Sequence, residues 1–102
     1  MDTGDILLQE RVTLVPEETA GDLTTRLAPL GAALLLKTLD QLERGASTPR
    51  AQDSHLATYA PMLRKEDGLL RWELPASELR DRIHGCNPSP GAFTVRDGRV
   101  LK

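Results

Sequence analysis

The side chains of this chain that could take part in chemistry are few and widely spaced. They are the carboxylates, histidines and cysteine at Asp2, Asp5, His55, His84 and Cys86. Neither histidine has a cysteine, a second histidine or a carboxylate at the spacing of metal ligands, so we expect no metal site. On spacing alone, Asp2 and Asp5 indicate a polar turn in which Gly4 allows a positive φ.

The histidines and the cysteine have structural interpretations. His55 lies in an irregular segment, where we expect a solvated or backbone-bonded side chain. His84 falls at the end of a predicted helix, where the helix dipole favours its charged form. Cys86 has no partnered base, and a single cysteine excludes an intrachain disulfide. This cysteine usage is typical of a reducing compartment, and we expect a cytoplasmic protein.

The sequence Asp2-Thr3-Gly4 also permits a sharper interpretation. Asp-Thr-Gly supplies the two carboxylates that share a proton in aspartic proteases. In those enzymes the motif follows an apolar strand and leads into a small or apolar residue. Here it starts the chain and is followed by Asp5. We therefore do not expect a protease.

Composition narrows the function classes further. The net charge of −2 argues against a nucleic-acid-binding surface formed by this stretch alone. The longest nearly apolar run, residues 27–36, is too short for a bilayer, which needs about 20 residues. We expect no membrane helix and no signal peptide. Aromatic residues make up only 3% of the chain, which suggests that part of its core lies elsewhere.

The first element that must position Asp2 is a predicted strand. Residues 6–15 alternate apolar and polar side chains, the pattern of a half-covered strand. A single strand cannot form a sheet. Its neighbours must therefore come from another segment or another chain.

A long amphipathic helix is predicted from Ala20 to Arg44. Its leucines recur every three or four positions, which places them on one face. Thr19 is the expected N-terminal cap, and Gly45 is expected to end the helix. Because Pro29 removes a backbone donor inside this pattern, we expect a kink or a break near Ala28.

Residues 46–73 lack a sustained period and predict an irregular connector. Within it, Lys65–Gly68 indicates an exposed turn. We expect the connector to be held against a surface by its larger apolar side chains, which are Tyr59, Leu63, Leu69, Leu70 and Trp72.

The last thirty residues predict a short helix, a turn and a hairpin. The helix runs from Pro75 to His84 with Gly85 as its C-cap, and its inward residues are expected to be Ala76, Leu79 and Ile83. Residues 87–91 contain two prolines and indicate a rigid turn. Asp97-Gly98 is typical of a two-residue type I′ turn between short strands.

The order of these pieces resembles methionyl-tRNA formyltransferase. The resemblance is carried by DTGDILLQ, TAGDLTTRLAPLGAALLLKTL, ATYAPMLRKEDGLLRW and IHGCNPSPGAFTVRDGRVLK, which together cover the whole chain. It departs at His84, Cys86 and Ser89, where the family usually has Arg, an aromatic or Leu, and Trp.

The resemblance implies an α/β fragment. It would contain the last strand and long helix of a Rossmann-like formyltransferase domain, an extended linker with a short helix, and the first β-hairpin of a C-terminal β-barrel. The implied boundaries are 1–45 for the catalytic domain, 46–90 for the linker and 91–102 for the barrel. A missing N-terminal segment would complete the sheet.

The resemblance also implies an activity. The family transfers a formyl group from 10-formyltetrahydrofolate to the amine of methionyl initiator tRNA. By the motif, Asp2 is the carboxylate that orients the catalytic histidine. The histidine and asparagine of the family have no counterpart here, so we expect this chain alone to be inactive. Two alternatives remain open: a formyltransferase fragment with a sugar-nucleotide substrate, and a non-enzymatic segment that docks on a partner through its leucine-rich helix.

Overall fold

The computed structural model describes residues 2–102. Two α-helices, α1 (Ala20–Glu43) and α2 (Ala76–Gly85), precede an antiparallel pair of strands, β1 (Thr94–Arg96) and β2 (Arg99–Leu101). Short 3₁₀ turns occur at Ser54–Leu56 and Lys65–Gly68. The chain divides into two compact units, one made of residues 1–13 and 26–60 and the other of residues 14–25 and 61–102.

Helix α1 begins where its sequence predicts and ends one residue earlier than predicted, at Glu43. The hydroxyl of Thr19 accepts a hydrogen bond from the backbone N–H of Asp22, and the Asp22 carboxylate accepts one from the N–H of Thr19. This reciprocal cap satisfies two backbone donors that the first turn leaves unpaired. At the other end Gly45 has φ +66°, and the N–H of Ala46 donates to the carbonyl of Gln41. That pairing is a Schellman termination.

Of the kink or break predicted near Ala28, the break is wrong. Helix α1 is continuous through Pro29 over 24 residues. A proline inside a helix removes one i→i−4 hydrogen bond, here the one to the carbonyl of Thr25. The helical hydrogen bonds on both sides of Pro29 remain possible, so the loss is local.

The strand predicted over residues 6–15 is also wrong. Among residues 2–102, its one ladder contact is an isolated antiparallel bridge between Ile6 and Arg50. A strand requires a neighbouring strand that accepts and donates backbone hydrogen bonds along its length. In the described part of the chain, the connector forms such hydrogen bonds with this segment only at Arg50. Leu14 and Val15, at the end of the predicted strand, are 66% and 55% exposed.

The connector is irregular, as predicted, but it is less covered than expected. Leu69 and Leu70 are half-buried, whereas Tyr59 is 91% exposed and Trp72 is 65% exposed. The turn at Lys65–Gly68 is a 3₁₀ turn whose last residue is buried, so it is not simply an exposed turn. The prediction of a connector held by its apolar side chains is therefore correct only near its C-terminal end.

Helix α2 begins one residue later than predicted, at Ala76 with Pro75 as its N-cap, and also ends one residue later, at Gly85 with Cys86 as its C-cap. Of its three expected inward residues, Leu79 is half-buried, and the other two are exposed. The hairpin is confirmed: Asp97 and Gly98 have φ values of 50° and 77°, as a type I′ turn requires. Strands β1 and β2 pair in register around it, with Arg96 opposite Arg99.

Residues 2–102 bury few hydrophobic side chains. Cys86, at 4% exposure, is the one buried hydrophobic residue in this part of the chain. On α1, the leucines at 23, 30 and 34 are half-buried, and those at 27, 35, 39 and 42 are exposed. None of the helices described combines the length and the apolarity that crossing a membrane demands. The thin core agrees with the low aromatic content of the sequence.

Candidate functional site

The predicted site residue, Asp2, lies in an exposed segment beside the connector. Its backbone has φ +62°, in the left-handed region that aspartate occupies more readily than most residues. The side-chain amide of Gln52 donates to the carbonyl of Asp2 over 3.1 Å and to the carbonyl of Gly4 over 2.6 Å. One side chain therefore spans the Asp-Thr-Gly sequence.

The backbone beyond Gly4 is held by Arg50. Ile6 and Arg50 exchange both backbone hydrogen bonds, at 2.8 and 2.9 Å. The guanidinium of Arg50 also donates to the side-chain carbonyl of Gln9 over 2.7 Å. Residues 50–52 of the connector thus run antiparallel to residues 2–6 and hold them by four hydrogen bonds, and a fifth joins Arg50 to Gln9.

Sequence reasoning selected Asp2 but missed Gln52 and Arg50. Nothing in their spacing indicates a role, because they lie about fifty residues from Asp2 in a segment without periodicity. The structure, through the backbone bridge between Ile6 and Arg50, shows that the connector returns to the start of the chain. The chemistry available at Asp2 is that of an exposed carboxylate, which can accept a hydrogen bond from a nitrogen base and orient it.

The other candidate residues occupy structural positions. The backbone N–H of His55 donates to the Asp53 carboxylate at the first 3₁₀ turn. His84 is half-buried near the end of α2 and lines a groove of about 380 Å³ with Arg80 and Leu23. Within residues 2–102, no cluster of three or more His, Cys, Asp and Glu side chains is placed to hold a metal ion.

A second arrangement joins α2 to the hairpin. The guanidinium of Arg82 donates to the carbonyl of Asp67 over 2.7 Å, and the buried Cys86 thiol lies 4.0 Å from the same oxygen. Next to it, the carbonyl of Gly68 accepts a hydrogen bond from the N–H of Phe93, and the carbonyl of Phe93 accepts one from the N–H of Leu70. This arrangement positions the hairpin and offers no exposed reactive group.

The residues around Asp2 and those around Cys86 both lie in regions that are similar to formyltransferases. Residues 62–102 match the family described as formyl transferase, C-terminal domain. The methionyl-tRNA formyltransferase of Syntrophus aciditrophicus (strain SB) is 49% identical over 102 residues, which are 100% of this chain and 33% of that protein. Those of Anaeromyxobacter dehalogenans (strain 2CP-C) and Moorella thermoacetica (strain ATCC 39073 / JCM 9320) are 49% and 45% identical over the same shares.

The resemblance found in the sequence is therefore confirmed. The chain spans about a third of the length of the curated relatives it matches. Over all of its residues, this chain is similar to the methionyl-tRNA formyltransferases, and its residues 62–102 match a formyl transferase C-terminal domain.

Proposed function

We propose that this chain acts as part of a formyltransferase that formylates the α-amine of methionyl initiator tRNA. The observation that carries the proposal is similarity at 42–49% identity along essentially the whole chain to proteins named methionyl-tRNA formyltransferase. The sequence around Asp2 lies within the aligned region. The formyl donor is 10-formyltetrahydrofolate, and we assign none of residues 2–102 to its binding.

The contribution of this chain to the chemistry is one carboxylate. The amine nitrogen attacks the formyl carbon, the bond from that carbon to the donor nitrogen breaks, and the proton that the amine loses ends on this nitrogen of the departing tetrahydrofolate. Preorganised donors must stabilise the oxyanion between these steps. Asp2, as an ionised acceptor, would orient the histidine that manages the proton. The hydrogen bonds from Gln52 to the carbonyls of Asp2 and Gly4 support this assignment, because an orienting group must itself be held.

We propose the domain boundaries on the same basis: catalytic domain to residue 45, linker to residue 90 and barrel from residue 91. Two backbone features support them. Helix α1 terminates at Gly45 with φ +66°, and the proline turn gives way to the hairpin at Gly91 with φ +88°. Both are positions where the chain changes direction through a conformation that glycine adopts freely.

The test is a formyl-transfer assay with the complete gene product that carries this sequence. Charged initiator tRNA and 10-formyltetrahydrofolate should give formylmethionyl-tRNA, whereas an amino sugar nucleotide should not be formylated. Residues 1–102 alone should show no turnover. Formylation of the sugar nucleotide in place of the tRNA would assign the chain to the other substrate class.

Substitution of the carboxylate tests the role of Asp2 directly. Asp2→Asn in the complete gene product should lower kcat by about 10²–10⁴-fold, the usual contribution of a group engaged in proton transfer. Asp5→Asn is the matched control, because it removes a neighbouring exposed carboxylate and should leave kcat within about twofold. Equal losses in both variants would contradict the specific role of Asp2.

A further inference from the structure

We infer that Gln52 is a positioning residue for Asp2: its amide clamps the main chain on both sides of Thr3 and holds the carboxylate in its working place. The inference rests on the proposed function, since it requires Asp2 to act in catalysis. Among residues 2–102, the hydrogen bonds of the Gln52 side chain go to main-chain oxygens.

The position of Gln52 follows from the pairing register. Ile6 and Arg50 form a hydrogen-bonded antiparallel pair, so the next such pair toward the start of the chain would join Gly4 to Gln52. In a regular ladder the backbone N–H of Gln52 would donate to the carbonyl of Gly4. Here the side-chain amide donates to that carbonyl instead, and its second N–H reaches Asp2.

The backbone of Asp2 needs such support. Its φ of +62° lies in the left-handed region, which is unfavourable for an L-residue without supporting contacts. A primary amide has two N–H donors, and both are used here, one on each side of Thr3. Losing them would free the segment to leave this conformation and carry the carboxylate with it.

The decisive substitution is Gln52→Glu in the complete gene product. Glutamate has the same shape but no donor, and its charge would face two carbonyl oxygens. We expect kcat to fall by about tenfold or more with KM for both substrates within twofold, since the interaction serves the reacting geometry and not substrate binding. Gln9→Glu is the matched control, because a carboxylate there still accepts from Arg50, and its kcat should be unchanged.

A double-substitution cycle separates positioning from general destabilisation. If Gln52 acts through Asp2, Gln52→Glu should cause no further loss of kcat in the Asp2→Asn background. Circular dichroism of each variant checks that it is folded. A variant that fails to fold is replaced by Gln52→Asn, which keeps both donors on a shorter stem and should show a smaller loss.

Three outcomes would overturn the inference, and they are distinguishable. Wild-type kcat in a folded Gln52→Glu variant would refute the positioning role alone. An equal loss in both backgrounds would assign Gln52 a merely structural role. If Asp2→Asn itself leaves kcat unchanged, the proposed role of Asp2 fails, and the inference that depends on it fails with it.

Discussion

At the residue scale, the backbone of Gly68 lies directly against the backbone of Gly91. A Cβ added at Gly68 would overlap the carbonyl oxygen of Gly91, which is backbone and cannot rotate away. Gly68 is buried, and its own carbonyl accepts from the N–H of Phe93. A side chain here would therefore push the connector away from the turn that leads into the hairpin.

We predict that Gly68→Ala destabilises the complete gene product by about 3 kcal/mol, the upper part of the usual range for overpacking. The measurement is the free energy of unfolding from denaturant titration. Gly85→Ala is the matched control, because a Cβ there meets nothing within 4 Å and alanine favours the helix. A Gly68→Ala variant as stable as the control would show that the two glycines do not approach this closely.

At the scale of the elements, helix α1 is the best-defined part of the chain because its caps are local. We predict that Thr19→Ala lowers helix content in far-ultraviolet circular dichroism and destabilises the chain by about 1 kcal/mol. Thr38→Ala is the control: its hydroxyl donates to the carbonyl of Leu34 within the helix, and its loss should have little effect. Equal loss of helix in both variants would contradict a capping role.

The elements that sequence predicted correctly are those determined by near neighbours. The Thr19 cap, the Gly45 termination and the Asp97-Gly98 turn each depend on residues within a few positions, so the sequence contains all that specifies them. A strand over residues 6–15 would depend on a neighbouring strand, which the sequence of residues 6–15 does not identify. Gln52 was missed for the same reason: its contact with Asp2 spans fifty residues and follows from one backbone bridge.

At the scale of the whole molecule, a long part of the connector is exposed to solvent. Every residue from 51 to 66 is exposed, and the large side chains among them include Leu56, Tyr59 and Met62 at 77%, 91% and 90% exposure. Exposed segments with little buried surface open easily and are the preferred sites of proteolysis.

Limited proteolysis of residues 1–102 should therefore begin in the connector. Brief chymotrypsin treatment is expected to cut first after Tyr59, well before Phe93, which is half-buried and whose backbone N–H and carbonyl are both hydrogen-bonded. Mass spectrometry of the early fragments identifies the cut. Tyr59→Thr should slow this cleavage without changing cleavage at Phe93. In the complete gene product, slower cutting at Tyr59 would show that additional protein covers the connector, whereas first cleavage at Phe93 in residues 1–102 would contradict the exposure described.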